Sequence, residues 1–123
     1  MYRCKDLEIW KKNRLFCAEI YSITSKFPEN EKFGLTNQLR RASISIPSNI
    51  AEGSSRHSNK DFTRFLQIAI GSAYEIKTQL LIAPDLNFIN KDELDSLLNS
   101  LDAIIKMTSK FKSTLNKSKN LII

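Results

Sequence analysis

The chain has 123 residues, of which 41% are hydrophobic, and a formal net charge of +6 from 19 Lys and Arg against 13 Asp and Glu. This size and composition fit one globular domain with one core, and only three Gly and three Pro are available for the tight turns of an all-β fold. No apolar run approaches the roughly 20 residues that cross a bilayer, and the charged N-terminus lacks the apolar core of a signal peptide. We therefore expect a helical, cytoplasmic protein without membrane association.

The first predicted helix covers about residues 6–27 and ends before Pro28. Cys4 and Cys17 are 13 residues apart, which corresponds to roughly 20 Å along a helix and exceeds disulfide reach. We expect both cysteines to be reduced, with Cys17 as a small core residue. The positions expected to face inward follow helical spacing: Leu7, Trp10, Phe16, Cys17, Ile20, Tyr21, Ile23 and Phe27.

The second predicted helix covers about residues 32–53 and contains Pro47. A proline in mid-helix removes one backbone hydrogen bond and crowds the carbonyl four residues earlier, at Ser43. We predict a kink there, and the alternative is two short helices divided near Ser45. Gly53 is placed to take the left-handed conformation that commonly ends a helix.

The third predicted helix covers about residues 58–83, between a cap formed by Ser58 and Asp61 and a stop at Pro84. It has the most regular apolar spacing in the chain, alternating four and three residues over three heptads, as in nearly antiparallel packed helices. The positions concerned are Phe62, Leu66, Ala69, Ala73, Ile76, Leu80 and Ala83.

The fourth predicted helix covers about residues 90–116, after a second cap at Asn90 and Glu93. Short connections between four long helices leave each helix to fold back beside its predecessor. The sequence therefore predicts an all-α, up-and-down antiparallel four-helix bundle, forming a single domain over residues 1–123. The end of the chain, rich in Lys, Ser and Asn, is expected to fray.

Signs of catalysis are missing from the sequence, which has no paired nucleophile and base, clustered metal ligands or glycine-rich phosphate loop. His57, the only histidine, lies in a predicted turn and is expected to be solvated. Glu19, Glu52 and Glu75 are the acids nearest to apolar positions, and each is expected to pair with a neighbouring base or amide. We predict no enzymatic activity, no metal and no cofactor.

A polar stripe lies beside the apolar face of the second predicted helix, and it consists of Gln38, Arg41, Ser45, Ser48 and Glu52. Arg41 and Glu52 are three turns apart, so each needs a partner on another helix, another subunit or a ligand. In a structural interpretation, Glu52 pairs across the turn with Arg56, Lys60 or Arg64.

In a functional interpretation, one basic patch contacts phosphates and consists of Arg40, Arg41, Arg56, Lys60 and Arg64. The two interpretations overlap, because a structural glutamate can orient a phosphate-binding arginine. A second basic cluster lies in the last helix, where cations near a helix C-terminus are favourable and usually solvated: Lys106, Lys110, Lys112, Lys117 and Lys119.

Residues 38–53 read QLRRASISIPSNIAEG, after LEIWKK near the start and before Gly71-Ser72 and Glu75. These stretches resemble the 23S rRNA intervening-sequence protein family over nearly the whole chain. The resemblance implies a cytoplasmic bacterial four-helix bundle without enzymatic activity, assembled as a ring-like homopentamer and encoded in some relatives within an insertion in a ribosomal RNA gene. In the matching motif Pro47 is expected to kink the helix, Asn49 to satisfy freed backbone groups and Gly53 to close the helix.

The chain is also similar to the accessory proteins of diversity-generating retroelements, pentameric basic bundles that bind nucleic acid and a reverse transcriptase. The leading hypothesis is thus an oligomeric module that associates with RNA through shape and charge, without base stacking. The alternative is a protein-interaction scaffold that docks an acidic protein partner such as a polymerase.

Overall fold

The computed structural model describes residues 2–121, and it describes side chains as far as Lys117. It contains four α-helices: α1 (Glu8–Thr24), α2 (Leu35–Ser54), α3 (Asn59–Asp85) and α4 (Lys91–Leu121). Two single 3-10 turns, at Cys4–Asp6 and Glu29–Glu31, precede α1 and α2. No strand occurs among residues 2–121, so the predicted all-α class is confirmed.

The helices pack as an up-and-down bundle in which each helix lies beside the next in the chain and α4 closes against α1. The contact between α2 and α3 is the most extensive, and that between α1 and α4 is the smallest. All seven apolar positions predicted for the third helix are buried. Each large core side chain contributes about 1.5–3 kcal/mol by leaving water, and the largest fully buried ones include Phe16, Ile20, Leu39, Ile46, Phe62, Leu66, Ile76 and Leu101.

The inward face of α1 differs in part from its prediction. Ile9 and Asn13 are buried, whereas Tyr21, which was expected inward, is 39% exposed. The reason is that positions 9, 13, 16 and 20 share one helical face, while residue 21 lies toward its edge. In the core, Asn13 donates a 2.7 Å hydrogen bond through its Nδ2 to the Ile9 carbonyl, while its buried Oδ1 accepts none from the described residues.

Pro47 lies inside α2, which runs unbroken from Leu35 to Ser54. The alternative of two short helices is therefore wrong, and the kink stays a prediction. The amide of Asn49 donates to the Ser45 carbonyl at 2.8 Å and to the Ser45 hydroxyl at 3.1 Å. The carbonyl that the proline frees, at Ser43, instead accepts the thiol of Cys17 at 3.0 Å. Cys17, which was expected in the core, is only partly buried.

Gly53 does not end α2 through a left-handed conformation, because no glycine in the described chain has a positive φ. Gly53 is instead buried against α3, where an added Cβ would lie 2.7 Å from the Phe62 ring and 2.8 Å from the Phe65 Cβ. The last carbonyls of α2 are satisfied by two serines, since Ser54 Oγ donates to Ala51 and Ser55 Oγ donates to Glu52. Gly53 is therefore a close-packing residue.

Both predicted caps are present. Ser58 Oγ accepts the Asp61 amide at 3.1 Å, and Asn90 and Glu93 exchange side-chain to backbone bonds of 2.8 and 3.3 Å. These bonds satisfy amides that the first turn of a helix leaves without partners.

The two C-terminal helices extend further than predicted. Pro84 does not stop α3 at residue 83, because a proline in the last turn costs only one hydrogen bond, and the helix ends at Asp85. Asn87, at a φ of 61°, then reverses the chain. The backbone of α4 continues to Leu121. The fraying of the tail stays a prediction, since residues 122–123 lie outside the described part of the chain.

Candidate nucleic-acid interface

The five basic residues predicted to form one patch lie in two places. Arg40 and Arg41 lie in the first half of α2, whereas Arg56 follows its end and Lys60 and Arg64 lie in the first turns of α3. Sixteen residues separate Arg40 from Arg56, which corresponds to about 24 Å along a helix. The structure therefore brings Arg56, Lys60 and Arg64 together and leaves the other two toward the opposite end of the bundle.

Arg40 is held by the C-terminal end of α1. Its Nε donates to Thr24 Oγ1 at 2.9 Å and its Nη2 to the Tyr21 carbonyl at 3.3 Å. The guanidinium also lies 4.5 Å from the centre of the Tyr21 ring. A cation at a helix C-terminus interacts favourably with the helix dipole and with the last carbonyls. These contacts give Arg40 a structural role in joining α1 to α2.

Arg41 is exposed and lines a polar pocket of about 230 Å³ between α2 and α3. The other lining residues are Gln38, Ala42, Ser45, Ser72 and Glu75. No ion pair to Arg41 occurs among the described side chains. The expectation that Arg41 pairs with a neighbouring helix is therefore not met within the monomer.

Two other residues of the polar stripe on α2, Gln38 and Ser45, do meet α3. The hydroxyls of Ser45 and Ser72 are 2.9 Å apart. Gln79 donates through its Nε2 to Glu75 at 3.2 Å and to Gln38 at 3.5 Å. These bonds satisfy polar groups that close helix packing takes partly out of water.

Glu52 pairs with Arg56, one of the partners that the structural interpretation names, at 2.6 Å. The pair joins residues four apart, so it lies along the end of α2 and does not cross to α3. Arg64 pairs in the same way with Asp61 at 3.5 Å. Both guanidinium groups also lie on the ring of Phe65, at 4.8 Å for Arg56 and 4.6 Å for Arg64. Lys60 is exposed nearby.

Three lysines form an exposed row on α4, where the sequence predicts only solvated side chains near a helix C-terminus. Lys106, Lys110 and Lys117 are exposed and lie within about 40° of one another around the helix. The side chains described include no acid in ion-pair contact with any of the three. Lys112, by contrast, donates to Gln67 of α3, and Lys119 lies outside the residues whose side chains are described.

Dividing each helix at its midpoint separates the bundle into two halves, and the positive charge is concentrated in one of them. We define the basic half as residues 2–16, 45–72 and 106–117, which contain twelve Lys and Arg against four Asp and Glu, a net charge of +8. The acidic half, residues 17–44 and 73–105, contains six bases against nine acids, a net charge of −3. The basic half contains both ends of the described chain and the turn between α2 and α3.

Possible metal ligands do not come together in the described part of the chain. No group of three or more His, Cys, Asp or Glu among these residues could hold a metal ion. Glu52 pairs with Arg56 and Glu75 accepts from Gln79, while Glu19 lies on α1. Within the same described residues, every helix is too short or too polar to span a bilayer.

The sequence model of one protein family, the 23S rRNA-intervening sequence proteins, matches residues 5–110. The chain belongs to this family. Among curated proteins none matches the sequence.

A solved structure that is similar to this family member is that of a protein with unknown function from the S23 ribosomal protein family of Bacteroides thetaiotaomicron VPI-5482. The two chains are 24% identical with a TM-score of 0.79, and the match covers 85% of this chain and 95% of the other. The similarity shows that the two proteins share the same fold.

Two of the stretches that carry the family resemblance, residues 38–53 and the segment from Gly71 to Glu75, meet at one place in the bundle. Gln38, Arg41 and Ser45 of α2 and Ser72 and Glu75 of α3 all line the polar pocket between these helices. The pocket lies between the two helices with the most extensive contact in the bundle, so these distinctive residues belong to the α2–α3 contact.

Proposed function

We propose that this chain is a non-enzymatic module that binds structured RNA through its basic half. The observation that carries this proposal is the division of charge into +8 and −3 between the two halves. An uneven charge of this kind attracts a polyanion to one end of a protein and orients it there. The acidic half has the opposite effect, so the RNA is expected to contact one end of the bundle and not its whole surface.

The lysine row on α4 supplies three of the eight bases of the basic half that have no ion pair among the described side chains. Each lysine that neutralises a phosphate releases condensed counterions, which makes binding weaker as salt concentration rises. Arg56 and Arg64 add planar groups that donate to phosphate oxygens. Three aromatic residues nearby already contact one another within the protein, since the rings of Tyr2, Phe62 and Phe111 pack edge to face with centres 5.5–5.8 Å apart. Recognition is therefore by charge and shape, without base stacking.

Titration of a structured RNA at a series of salt concentrations tests the proposal. Replacement of Lys106, Lys110 and Lys117 by Ala is expected to reduce the slope of log affinity against log salt by roughly 2–3, about 0.7–0.9 for each phosphate contact. A matched control replaces three exposed lysines of the acidic half, Lys26, Lys32 and Lys91, and removes the same charge. Equal losses in both variants would contradict a localised RNA surface.

We also propose that copies of the chain associate with each other, as the family resemblance implies for a homopentamer, and that the protein is cytoplasmic. Exposed apolar side chains along the outer face of α3 support self-association: Ile68 at 44%, Tyr74 at 54%, Leu81 at 48% and Ile82 at 42% exposure. Such a set on one surface is typical of protein contacts. Light scattering measures the number of subunits, and Ile68→Glu with Ile82→Glu is expected to yield monomers.

The same apolar face of α3 favours the second candidate function, a scaffold for an acidic protein partner. The two functions separate experimentally, because replacing the α4 lysines changes the basic half and leaves the apolar outer face of α3 unchanged. Loss of RNA binding in the α4 lysine variant, with a captured protein partner retained, supports the first function. A protein partner that the wild type captures without measurable RNA affinity, and that is lost on Ile68→Glu with Ile82→Glu, supports the second.

A further inference from the structure

Phe65 brings two arginines together from different segments at the turn between α2 and α3. Arg56 lies in the turn and Arg64 lies one turn into α3, and the ring of Phe65 is 4.8 and 4.6 Å from their guanidinium carbons. The two carbons are therefore at most 9.4 Å apart, the sum of these distances. A separation of this size allows both groups to contact the same stretch of an RNA phosphate backbone.

Each arginine is also oriented by a carboxylate of its own helical turn. Glu52 accepts from Nη2 of Arg56 at 2.6 Å, and Asp61 lies 3.5 Å from Nη2 of Arg64. Each contact involves one of the two terminal nitrogens, so other N–H groups of both guanidinium groups remain available. The Nε of Arg56 is buried without a hydrogen-bond partner, so water screens this cation on only part of its surface.

We propose that Phe65 is a positioning residue that holds Arg56 and Arg64 as a preorganised clamp for the phosphate backbone of the bound RNA. This inference rests on the function proposed above and names one anchoring point within it. Stacking on the ring and pairing with a carboxylate restrict both long side chains before the ligand arrives, which lowers the entropy that binding costs. The first turn of α3 adds its helix dipole and the exposed Lys60.

The clamp differs from the lysine row because its local charge is balanced. The positive charges of Arg56 and Arg64 are offset by the negative charges of Glu52 and Asp61. Net charge alone therefore predicts only weak attraction of RNA to these four residues. A clamp depends on the geometry of N–H donors, and that geometry depends on the ring. A substitution that removes the ring without changing any charge therefore distinguishes positioning from simple electrostatics.

The test is RNA affinity at constant salt for Phe65→Leu, compared with Phe65→Tyr, using the same structured RNA and the full chain. Phe65→Leu is expected to lower affinity about fivefold to tenfold through loss of both stacked arginines, whereas Phe65→Tyr keeps the ring and is expected to bind like the wild type. Arg56→Lys with Arg64→Lys keeps both charges and removes the planar groups, so it is expected to lose as much as Phe65→Leu.

The outcomes separate this inference from the proposed function. Wild-type affinity in Phe65→Leu, or in the double lysine variant, overturns the clamp and leaves RNA binding by the basic half intact. No RNA binding by the wild type overturns both. If Phe65→Leu does not fold, as judged by circular dichroism, the double lysine variant decides the question, because it leaves the contact between Phe65 and Gly53 unchanged.

Discussion

The thiol of Cys17 on α1 donates a 3.0 Å hydrogen bond to the carbonyl oxygen of Ser43 on α2. In a regular helix this carbonyl accepts from the amide of residue 47, which here is a proline without an N–H. Burial raises the pKa of the Cys17 thiol above its ordinary value, and only the side chain of Ser43 opposes that rise. The thiol thus stays protonated at neutral pH and remains a donor to the carbonyl that Pro47 leaves free.

Removal of the thiol is expected to destabilise the bundle. Cys17→Ala leaves the buried Ser43 carbonyl without a partner, and we expect a loss of about 1–2 kcal/mol in the free energy of unfolding. Urea denaturation followed by circular dichroism measures it.

The control for this prediction is the same substitution in a Pro47→Ala background. That background restores the missing backbone amide, so the cost of Cys17→Ala is expected to fall by about 1 kcal/mol in a double-mutant cycle. An equal cost in both backgrounds would show that the cysteine contributes packing alone.

Two helical glycines are expected to respond oppositely to alanine. Gly53→Ala places a Cβ 2.7 Å from Phe62 and 2.8 Å from Phe65, so we expect a loss of about 1–3 kcal/mol in stability from overpacking. Gly71 lies within α3 with nothing within 4 Å of an added Cβ, and Gly71→Ala is expected to gain about 0.5–1 kcal/mol. Thermal unfolding compares them, and a stable Gly53→Ala protein would refute the close-packing role of Gly53.

Arg40 is expected to matter for stability and Arg41 is not. Arg40→Ala removes two hydrogen bonds and the contact with Tyr21, which corresponds to about 1–2 kcal/mol of stability. Arg41→Ala removes no ion pair within the described chain and is expected to change stability by less than about 0.5 kcal/mol. Denaturation midpoints check the difference, and a larger loss of stability for Arg41→Ala would reverse the assignment.

The sequence was sufficient to predict what depends on local spacing and local hydrogen bonds. The fold, the apolar face of α3, and the caps at Ser58 and Asn90 all follow from residues a few positions apart. The role of Gly53 could not be obtained in this way, because α2 and α3 meet there through Phe62 and Phe65, whose approach is a tertiary distance.

The site was predicted less completely for the same reason. Arg40 and Arg56 are both basic and belong to one stretch of sequence, yet about 24 Å of helix separates them. The separation of charge between the two halves of the bundle depends on which helix ends lie together. The sequence did contain one sign of a basic surface on α4, because no Asp or Glu follows Asp102.

Acid is expected to weaken the link between α1 and α4 through Glu93. Hydrogen bonds from Lys26 and from the Asn90 amide hold the pKa of the Glu93 carboxyl below its ordinary value of 4.5. A carboxyl with a depressed pKa contributes stability above its unfolded-state pKa and loses it as pH falls through the folded-state pKa. Glu93→Gln keeps a capping side chain without the charge, so its melting temperature should lie below that of the wild type at neutral pH and approach it in acid, below the ordinary carboxyl pKa. A constant difference across this range would contradict the assignment.

The most direct test of RNA binding by the basic half is the affinity of a structured RNA for the two triple-lysine variants. Both are measured over the same salt series and at equal oligomeric state. If the basic half is the RNA surface, replacement of Lys106, Lys110 and Lys117 by Ala lowers the affinity and reduces the slope of log affinity against log salt by roughly 2–3, while replacement of Lys26, Lys32 and Lys91 leaves both nearly unchanged. Equal binding by both variants, or no binding by the wild-type protein at low salt, would contradict it.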